Sequence, residues 1–266
     1  MNNNWNLEKL ERQARGSQDY DDFILKQSGV LDYPDLHVLD IGCSNGYKTK
    51  MLFDAYSNIT YIKGIDIDEN AIKEAQELFQ NNPRYNFMLQ SLNDLDDEQY
   101  DIIHLSYVLQ HLKNPEEVLS NLKSKLTDRG IILIKVPDDS FKFCYPDPDD
   151  LLFKIFRLYE RDIMPKQNIT QYTDRYIGKK IFSYLTHANY QNIQLYHSIT
   201  DTINKTVEEK IKLFTSSIAF RSANDKYDIN ISVKEEMNNL MEALKEKFKQ
   251  EDFYYTMTVL YYVAHK

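Results

Sequence analysis

Residues 38–46 form a short apolar run that ends in a carboxylate and is followed by a loop with two glycines. The carboxylate is Asp40, the glycines are Gly42 and Gly46, and residues 47–53 can continue as a helix. Glycine is needed where the main chain turns sharply or approaches a ligand closely, because it has no Cβ to clash. The chain has only 7 glycines in 266 residues, so two in one loop do not follow from composition. The stretch predicts a nucleotide-type binding corner at the end of a buried strand.

The spacing of these glycines differs from that of the two common phosphate-binding loops. A dinucleotide-binding loop has the pattern G-x-G-x-x-G, and a P-loop ends in Gly-Lys-Ser/Thr. Here Ser44 stands between Gly42 and Gly46, and neither pattern is present. At the mouth of the strand, Asp40 would repel a phosphate and attract an ammonium. These features favour a cofactor with positive charge and no phosphate, and S-adenosylmethionine has an α-ammonium and a sulfonium.

A second short strand, predicted over residues 60–66, also ends in an acid. Asp66 can accept hydrogen bonds from both ribose hydroxyls of an adenosine when it stands at the end of the second strand of such a unit. Apolar residues at helical spacing over 69–79 predict the helix that follows.

Four stretches, in order and spacing, resemble class I S-adenosylmethionine-dependent methyltransferases: residues 38–46, 64–68, 100–112 and 122–136. The resemblance covers about residues 35–140, with a weaker similarity to about residue 198. It implies an α/β, Rossmann-like fold with a mostly parallel seven-stranded sheet, S-adenosylmethionine as cofactor, and methyl transfer as the activity.

The resemblance also implies site residues. The expected cofactor-binding residues are Asp40, Gly42, Ser44, Gly46, Asp66, Ile67, Ser91, Leu92, Ser106, Arg15 and Tyr20. Within this set the loop and Asp40 would hold the methionine end, and Ile67, Ser91 and Leu92 would flank adenine. Arg15 and Tyr20 would close over the cofactor carboxylate, although a solvated role suits Arg15 equally.

The expected catalytic residues are Tyr107 and His111, which follow the fourth strand and would face the methyl group. His111 could equally brace its helix. Two positions depart from the family's pattern. Ser44 replaces a frequent middle glycine and is tolerated if its φ stays negative, and Ser91 stands where an aspartate often faces the adenine amino group.

The strand and helix signals divide the chain into three parts. Residues 1–30 predict an N-terminal helical cap, with a helix over 5–29 broken at Gly16. The methyltransferase core is predicted over 31–199 and 253–266, and a helical lid or substrate segment over 140–173 and 200–252. The core strands are expected at 37–42, 60–66, 85–90, 101–106, 131–136, 192–198 and 255–264, and the other main helices at 150–163, 174–189, 206–221 and 232–250. Packing within the chain or against a second copy is the alternative to a lid.

Charge and composition limit which partners the chain can have. The net charge of −9 argues against nucleic acid, because phosphate binding needs a basic face. Two cysteines, Cys43 and Cys144, form neither a zinc set nor a disulfide framework. No targeting or membrane-spanning run is present, so a cytoplasmic protein is expected. The apolar segment 150–163 hints at a contact surface, and a homodimer stays open.

Three functional hypotheses follow. The first is a methyltransferase that acts on an O or N atom of a small molecule. The second is a tRNA or protein methyltransferase, for which Lys205, Lys210 and Lys212 would form a basic patch, although Glu208 and Glu209 interrupt it. The third is a protein that binds S-adenosylmethionine without catalysis.

Overall fold

A computed structural model describes residues 7–166, 173–217 and 228–266, with side chains described from residue 17 onward. Within these ranges an eight-stranded sheet has the order β3-β2-β1-β4-β5-β8-β6, and β7 pairs with the other edge of β8. The strands are β1 (Leu36–Ile41), β2 (Ile59–Asp66), β3 (Tyr85–Leu89), β4 (Tyr100–Ser106), β5 (Leu126–Pro137), β6 (Phe143–Tyr145), β7 (Gln191–Asp201) and β8 (Tyr254–His265).

The sheet is parallel from β3 to β5, and β8 runs antiparallel to β5, β6 and β7. The expected α/β, Rossmann-like sheet is therefore confirmed, including all seven predicted strands. The short strand β6 is an eighth that the sequence pattern did not predict, because three residues are too few to show a period.

Helices cover both faces of the sheet. The helices are α1 (Leu7–Gln27), α2 (Tyr47–Phe53), α3 (Glu69–Phe79), α4 (Pro115–Ser124), α5 (Leu151–Leu158), α6 (Ile181–His187), α7 (Val207–Ser217) and α8 (Ile231–Lys247). Helices α1, α2 and α3 pack on one face, and α4 and α6 pack on the other. Each central strand supplies apolar side chains to both faces, as strands buried on two sides do.

Two helix predictions need correction. Helix α1 continues through Gly16 without a break, because one glycine in a helix costs only about 1 kcal/mol and the buried Ile24 and Leu25 anchor the helix on the sheet. The helix predicted over 174–189 is restricted to α6. The backbone before it is held by loops instead: the Asp174 N–H donates to the Gln110 carbonyl (2.8 Å), and the Arg175 carbonyl accepts from the Asp139 N–H (2.9 Å).

A third apolar core lies beside the sheet and belongs to the predicted lid segments. It joins Ile155 of α5, Phe214 of α7, Leu244 of α8 and Tyr255 of β8, all of which are fully buried. The apolar side of α5 is thus covered within the chain, which removes it as an indication of a homodimer surface. Parts of both lid segments, 167–172 and 218–227, lie outside the described residues.

Candidate functional site

The loop between β1 and α2 holds three residues in the left-handed region of backbone space. Gly42 has φ 72°, Gly46 has φ 73°, and Ser44 has φ 52°. A Cβ on Gly42 would meet Val108 Cγ2 at 2.4 Å, so only glycine fits there. The condition for tolerating serine at position 44, a negative φ, is not met. The reason is that Ser44 turns its backbone N–H toward the carboxylate of Asp66.

That carboxylate is held in place by main-chain donors. Asp66 Oδ2 accepts from the Ser44 N–H (2.9 Å), and Asp66 Oδ1 accepts from the Asp68 N–H (3.0 Å). Each carboxylate oxygen can accept a second hydrogen bond. Asp66 therefore stands at the end of β2 with a fixed orientation and with capacity for two more donors, as a pair of ribose hydroxyls would supply.

Apolar side chains stand exposed beside Asp66. Ile67 is 80% exposed and Leu89, at the end of β3, is 53% exposed. The other two residues expected near adenine are less open: Leu92 is half-buried against the core, and the Ser91 hydroxyl accepts from the Asn93 N–H (3.2 Å). We call Ser44, Asp66 and Ile67 the nucleoside end of the site. It combines a fixed acceptor with an apolar surface.

Asp40 is not open at the mouth of its strand. It is 3% exposed, Oδ1 lies 2.8 Å from His104 Nδ1, and Oδ2 accepts from the Thr49 hydroxyl. The carboxylate thus joins β1, β4 and α2. Its direct effect in the structure is to fix the start of α2, which carries the residues after the glycine loop.

A charged group that the sequence reasoning missed lies across the carboxyl ends of β4 and β5 and the neighbouring part of the antiparallel strand β8. Ser106, Lys135 and Tyr261 are direct neighbours in the strand register. Lys135 Nζ is 2.7 Å from Asp21 Oδ1 of α1, and the Tyr261 hydroxyl donates to the same oxygen (2.5 Å). An ion pair is therefore buried between the sheet and the N-terminal helix.

Lys48, on the first turns of α2, extends to the same place. Its Nζ is 2.6 Å from Ser106 Oγ and 5.1 Å from the centre of the Tyr107 ring. We call Asp21, Lys48, Lys135 and Tyr261 the lysine cluster. It brings two ammonium groups into a region where water is largely excluded.

Burial and mutual repulsion shift the protonation of this cluster. Burial, together with the nearby charge of Lys48, lowers the pKa of Lys135 to about 7, although Asp21 opposes the change. Burial lowers the pKa of Lys48 as well, and the charges of Asp21 and Asp40 oppose it. Burial alone would raise the pKa of Asp21, but Lys135 outweighs that effect and holds this pKa below its ordinary value.

The two expected catalytic residues lie at the end of β4. Tyr107 has φ 59°, and its N–H donates to the Lys135 carbonyl (2.8 Å), so the strand end fixes the ring beside both lysines. His111 lies on a 3-10 turn rather than in a helix, with Nδ1 3.1 Å from Thr173 Oγ1. Burial and the charge of Arg175 lower the pKa of His111, which favours the neutral imidazole.

The N-terminal residues are only partly described. The Tyr20 hydroxyl donates to the His197 carbonyl on β7 (2.9 Å), and the side chain of Arg15 lies outside the described part of α1. The residue of α1 that meets the site is Asp21, which the sequence reasoning passed over. The alternation of side chains along a strand offered a signal for Lys135. This lysine interrupts an apolar strand near the carboxyl end of that strand, on the same face as Leu133.

Buried charges also tie the predicted lid to the sheet. Asp139, which follows β5, pairs with Lys142 (2.8 Å) and with Arg175, and Arg175 lies over the ring of Tyr159 (5.1 Å). This ion-pair group stands near His111, on the side of the site away from Asp66. It would border an acceptor that approaches from the lid.

Known proteins resemble this chain in part of its sequence and in its fold. Residues 39–132 match the model of a family described as a methyltransferase domain. A methyltransferase from Archaeoglobus fulgidus described as SAM dependent superposes with a TM-score of 0.52 at 18% identity, covering 97% of this chain and 98% of that one. Phosphoethanolamine N-methyltransferase 2 of Haemonchus contortus, solved with S-adenosyl-L-methionine, superposes with a TM-score of 0.54 at 14% identity. The superposition covers 88% of this chain and 49% of that one. Residues 39–132 are therefore similar to a methyltransferase domain, and the chain shares the fold of these solved methyltransferases.

A curated relative is similar over a shorter region. A ubiquinone biosynthesis O-methyltransferase of Rickettsia bellii is 30% identical over 110 residues, which are 41% of this chain and 45% of that protein. The match spans less than half of that relative. No helix among the described residues is long and apolar enough to cross a membrane.

Proposed function

We propose that the protein is an S-adenosylmethionine-dependent methyltransferase that acts on an O or N atom of a small molecule. The observation that carries this proposal is the geometry of the nucleoside end. The loop between β1 and α2 fixes Asp66 through a main-chain N–H, next to an exposed apolar surface at Ile67. The Rickettsia bellii relative is named as an O-methyltransferase and the Haemonchus contortus protein as an N-methyltransferase, which supports these two acceptor atoms.

The residues present fit the cofactor. Asp66 would accept the ribose hydroxyls, Ile67 would lie against adenine, and Gly42 and Gly46 would let the main chain approach the methionine end. When bound, S-adenosylmethionine supplies a methyl group already activated by a sulfonium. The protein's own contribution is then alignment of the acceptor and exclusion of water.

Proton removal from the acceptor falls to groups at the end of β4. His111 is favoured in its neutral form, so its imidazole can accept a proton at neutral pH. Tyr107 stands beside the two lysines and would border the methyl group. An acceptor that enters as an anion would need no base.

A small acceptor fits the charge distribution better than tRNA. On and beside α7, Lys205, Lys210 and Lys212 alternate with acids, and Glu209 binds Thr206 at the start of the helix. The net charge of −9 adds a general repulsion of phosphate. A protein acceptor and a non-catalytic role as a sensor stay as alternatives.

The test is release of S-adenosylhomocysteine from S-adenosylmethionine in the presence of panels of phenols, carboxylic acids and amines. The proposal expects turnover with at least one small-molecule class and loss of that turnover in Asp66→Ala. If turnover occurred only with tRNA, and if the protein retained tRNA in a salt-dependent way, the second hypothesis would replace the small-molecule proposal. Binding without turnover on any panel would favour the sensor.

The cytoplasmic location stays a prediction from the sequence. Fractionation of cells that express the protein tests it, since recovery in the membrane pellet would contradict it. Whether the protein forms a homodimer can be tested by light scattering, which measures its molar mass in solution.

A further inference from the structure

Lys48 carries an ammonium group that pairs with no carboxylate among the side chains that the structure describes. Among the ion pairs of the described side chains Lys48 takes part in none, and its ammonium is hydrogen bonded to the neutral hydroxyl of Ser106 (2.6 Å). A half-buried ammonium normally has a carboxylate partner, because removing it from water is costly.

The two carboxylates whose charges act on Lys48 in the described part of the chain already have other partners. Asp21 binds Lys135 and Tyr261, and Asp40 binds His104 and Thr49. The helix start offers no compensation, because the N-terminal end of a helix dipole disfavours a cation. The position of Lys48 on the first turns of α2 therefore has an electrostatic cost that an anionic ligand would relieve.

We propose that Lys48 binds the carboxylate at the amino-acid end of S-adenosylmethionine. This inference rests on the function proposed above and assigns one residue within it. The strands β2 and β4 lie on either side of β1, so Asp66 and Ser106 are about 10 Å apart across two strand spacings. A ligand whose ribose is at Asp66 and whose chain crosses the glycine loop would end at Ser106 and Lys48.

The charge of the other groups on the ligand supports this orientation. The sulfonium and the α-ammonium would be repelled by Lys48, so only the carboxylate of that ligand can approach it favourably. The face of Tyr107 lies next to Lys48 and can attract the sulfonium, as aromatic rings attract cations.

The experiment compares two ligands on three proteins by calorimetry. The ligands are S-adenosylhomocysteine and its decarboxylated analogue, which keeps adenosine, sulfur and amine. The proteins are the wild type, Lys48→Met, and the matched control Lys50→Met, whose lysine is exposed on the same helix. We expect the wild type and Lys50→Met to prefer S-adenosylhomocysteine about 10- to 100-fold, the range of a hydrogen bond to a charged group. In Lys48→Met we expect the two ligands to bind equally and weakly.

The outcomes separate the two proposals. If the wild type binds neither ligand, the proposed function fails. If the wild type binds S-adenosylhomocysteine and Lys48→Met keeps the full preference for the carboxylate, the assignment of Lys48 is overturned while the function stands. Binding of the decarboxylated analogue by Lys48→Met, unchanged from wild type, shows that the variant is folded. Should Lys48→Met bind neither ligand, Lys48→Arg replaces it, and recovery of the preference supports the assignment, whereas equal binding of both ligands contradicts it.

Discussion

The nucleoside end and the lysine cluster lie on opposite sides of β1, and they are built in different ways. At the nucleoside end, the backbone N–H groups of Ser44, 22 residues before Asp66, and of Asp68, two residues after it, fix the Asp66 carboxylate. In the lysine cluster, side chains from α1, α2, β5 and β8 converge, and the Asp21–Tyr261 bond joins residues 240 apart in the chain. The first is a local device of main chain and glycine, whereas the second exists only once the whole sheet has assembled.

This difference separates binding from stability. Changes to the side chains of Asp66 and Ile67 should weaken ligand binding and leave folding largely intact, because Asp66 is only half-buried and Ile67 is exposed. Changes to the Asp21–Lys135 ion pair of the lysine cluster should destabilise the protein, because they leave a buried charge without its partner. The predictions below test that contrast, from the largest effect to the smallest.

Asp21→Asn should cost about 3–5 kcal/mol of unfolding free energy at pH 6, since it leaves Lys135 charged, buried and without a carboxylate. The cost should shrink at pH 9, because Lys135, with a pKa of about 7, then carries no charge to neutralise. Urea unfolding at the two pH values measures both. An equal cost at pH 6 and pH 9 would show that the ion pair does not explain the effect.

The same titration has a consequence for the wild type. A lysine with a folded pKa of about 7 binds fewer protons in the folded than in the unfolded chain above that pH. The contribution of Lys135 should therefore make the unfolding free energy rise between about pH 7 and pH 10. This rise should be absent in Lys135→Met. If the unfolding free energy of that variant rose with pH as steeply as that of the wild type, Lys135 would not be the cause.

Gly42→Ala should destabilise the loop by about 2–4 kcal/mol, from the left-handed φ and from the contact with Val108. Gly29→Ala is the matched control, because Gly29 has the same φ of 72° with nothing within 4 Å of the added Cβ. Denaturant titration should show the smaller loss at Gly29. Equal losses would mean that crowding at the glycine loop contributes nothing.

Asp66→Ala should weaken the binding of S-adenosylhomocysteine by about 1–3 kcal/mol, since two hydrogen bonds to a charged acceptor are removed. The binding of methylthioadenosine, which keeps the ribose and lacks the amino acid, should weaken by the same amount in this variant. If only S-adenosylhomocysteine were affected, Asp66 would not be the ribose acceptor.

Ile67→Ser should reduce affinity for the same two ligands by about 1 kcal/mol through lost apolar contact with adenine. Its unfolding free energy should stay within about 0.5 kcal/mol of the wild type, because the side chain is 80% exposed. Calorimetry and urea unfolding on one preparation give both values. A stability loss larger than the binding loss would remove Ile67 from the site.

The sequence predicted the fold and the nucleoside end because both depend on short-range patterns. Apolar runs identified all seven main strands; Gly42 directly follows β1, and Asp66 is the last residue of β2. The lysine cluster escaped because the strand register that places Lys135 between Ser106 and Tyr261 is not encoded in any local spacing. Asp40 was misplaced for a related reason: its partners His104 and Thr49 come from neighbouring elements, and they convert an expected open carboxylate into a buried one.

The proposed function requires that the corner between β1, α2 and β2 binds S-adenosylmethionine. Isothermal titration of the wild-type protein with S-adenosylhomocysteine measures this binding without knowledge of the acceptor. We expect saturable one-to-one binding with a dissociation constant below about 0.1 mM, or about −5.5 kcal/mol. No binding with ligand at about 1 mM would contradict it.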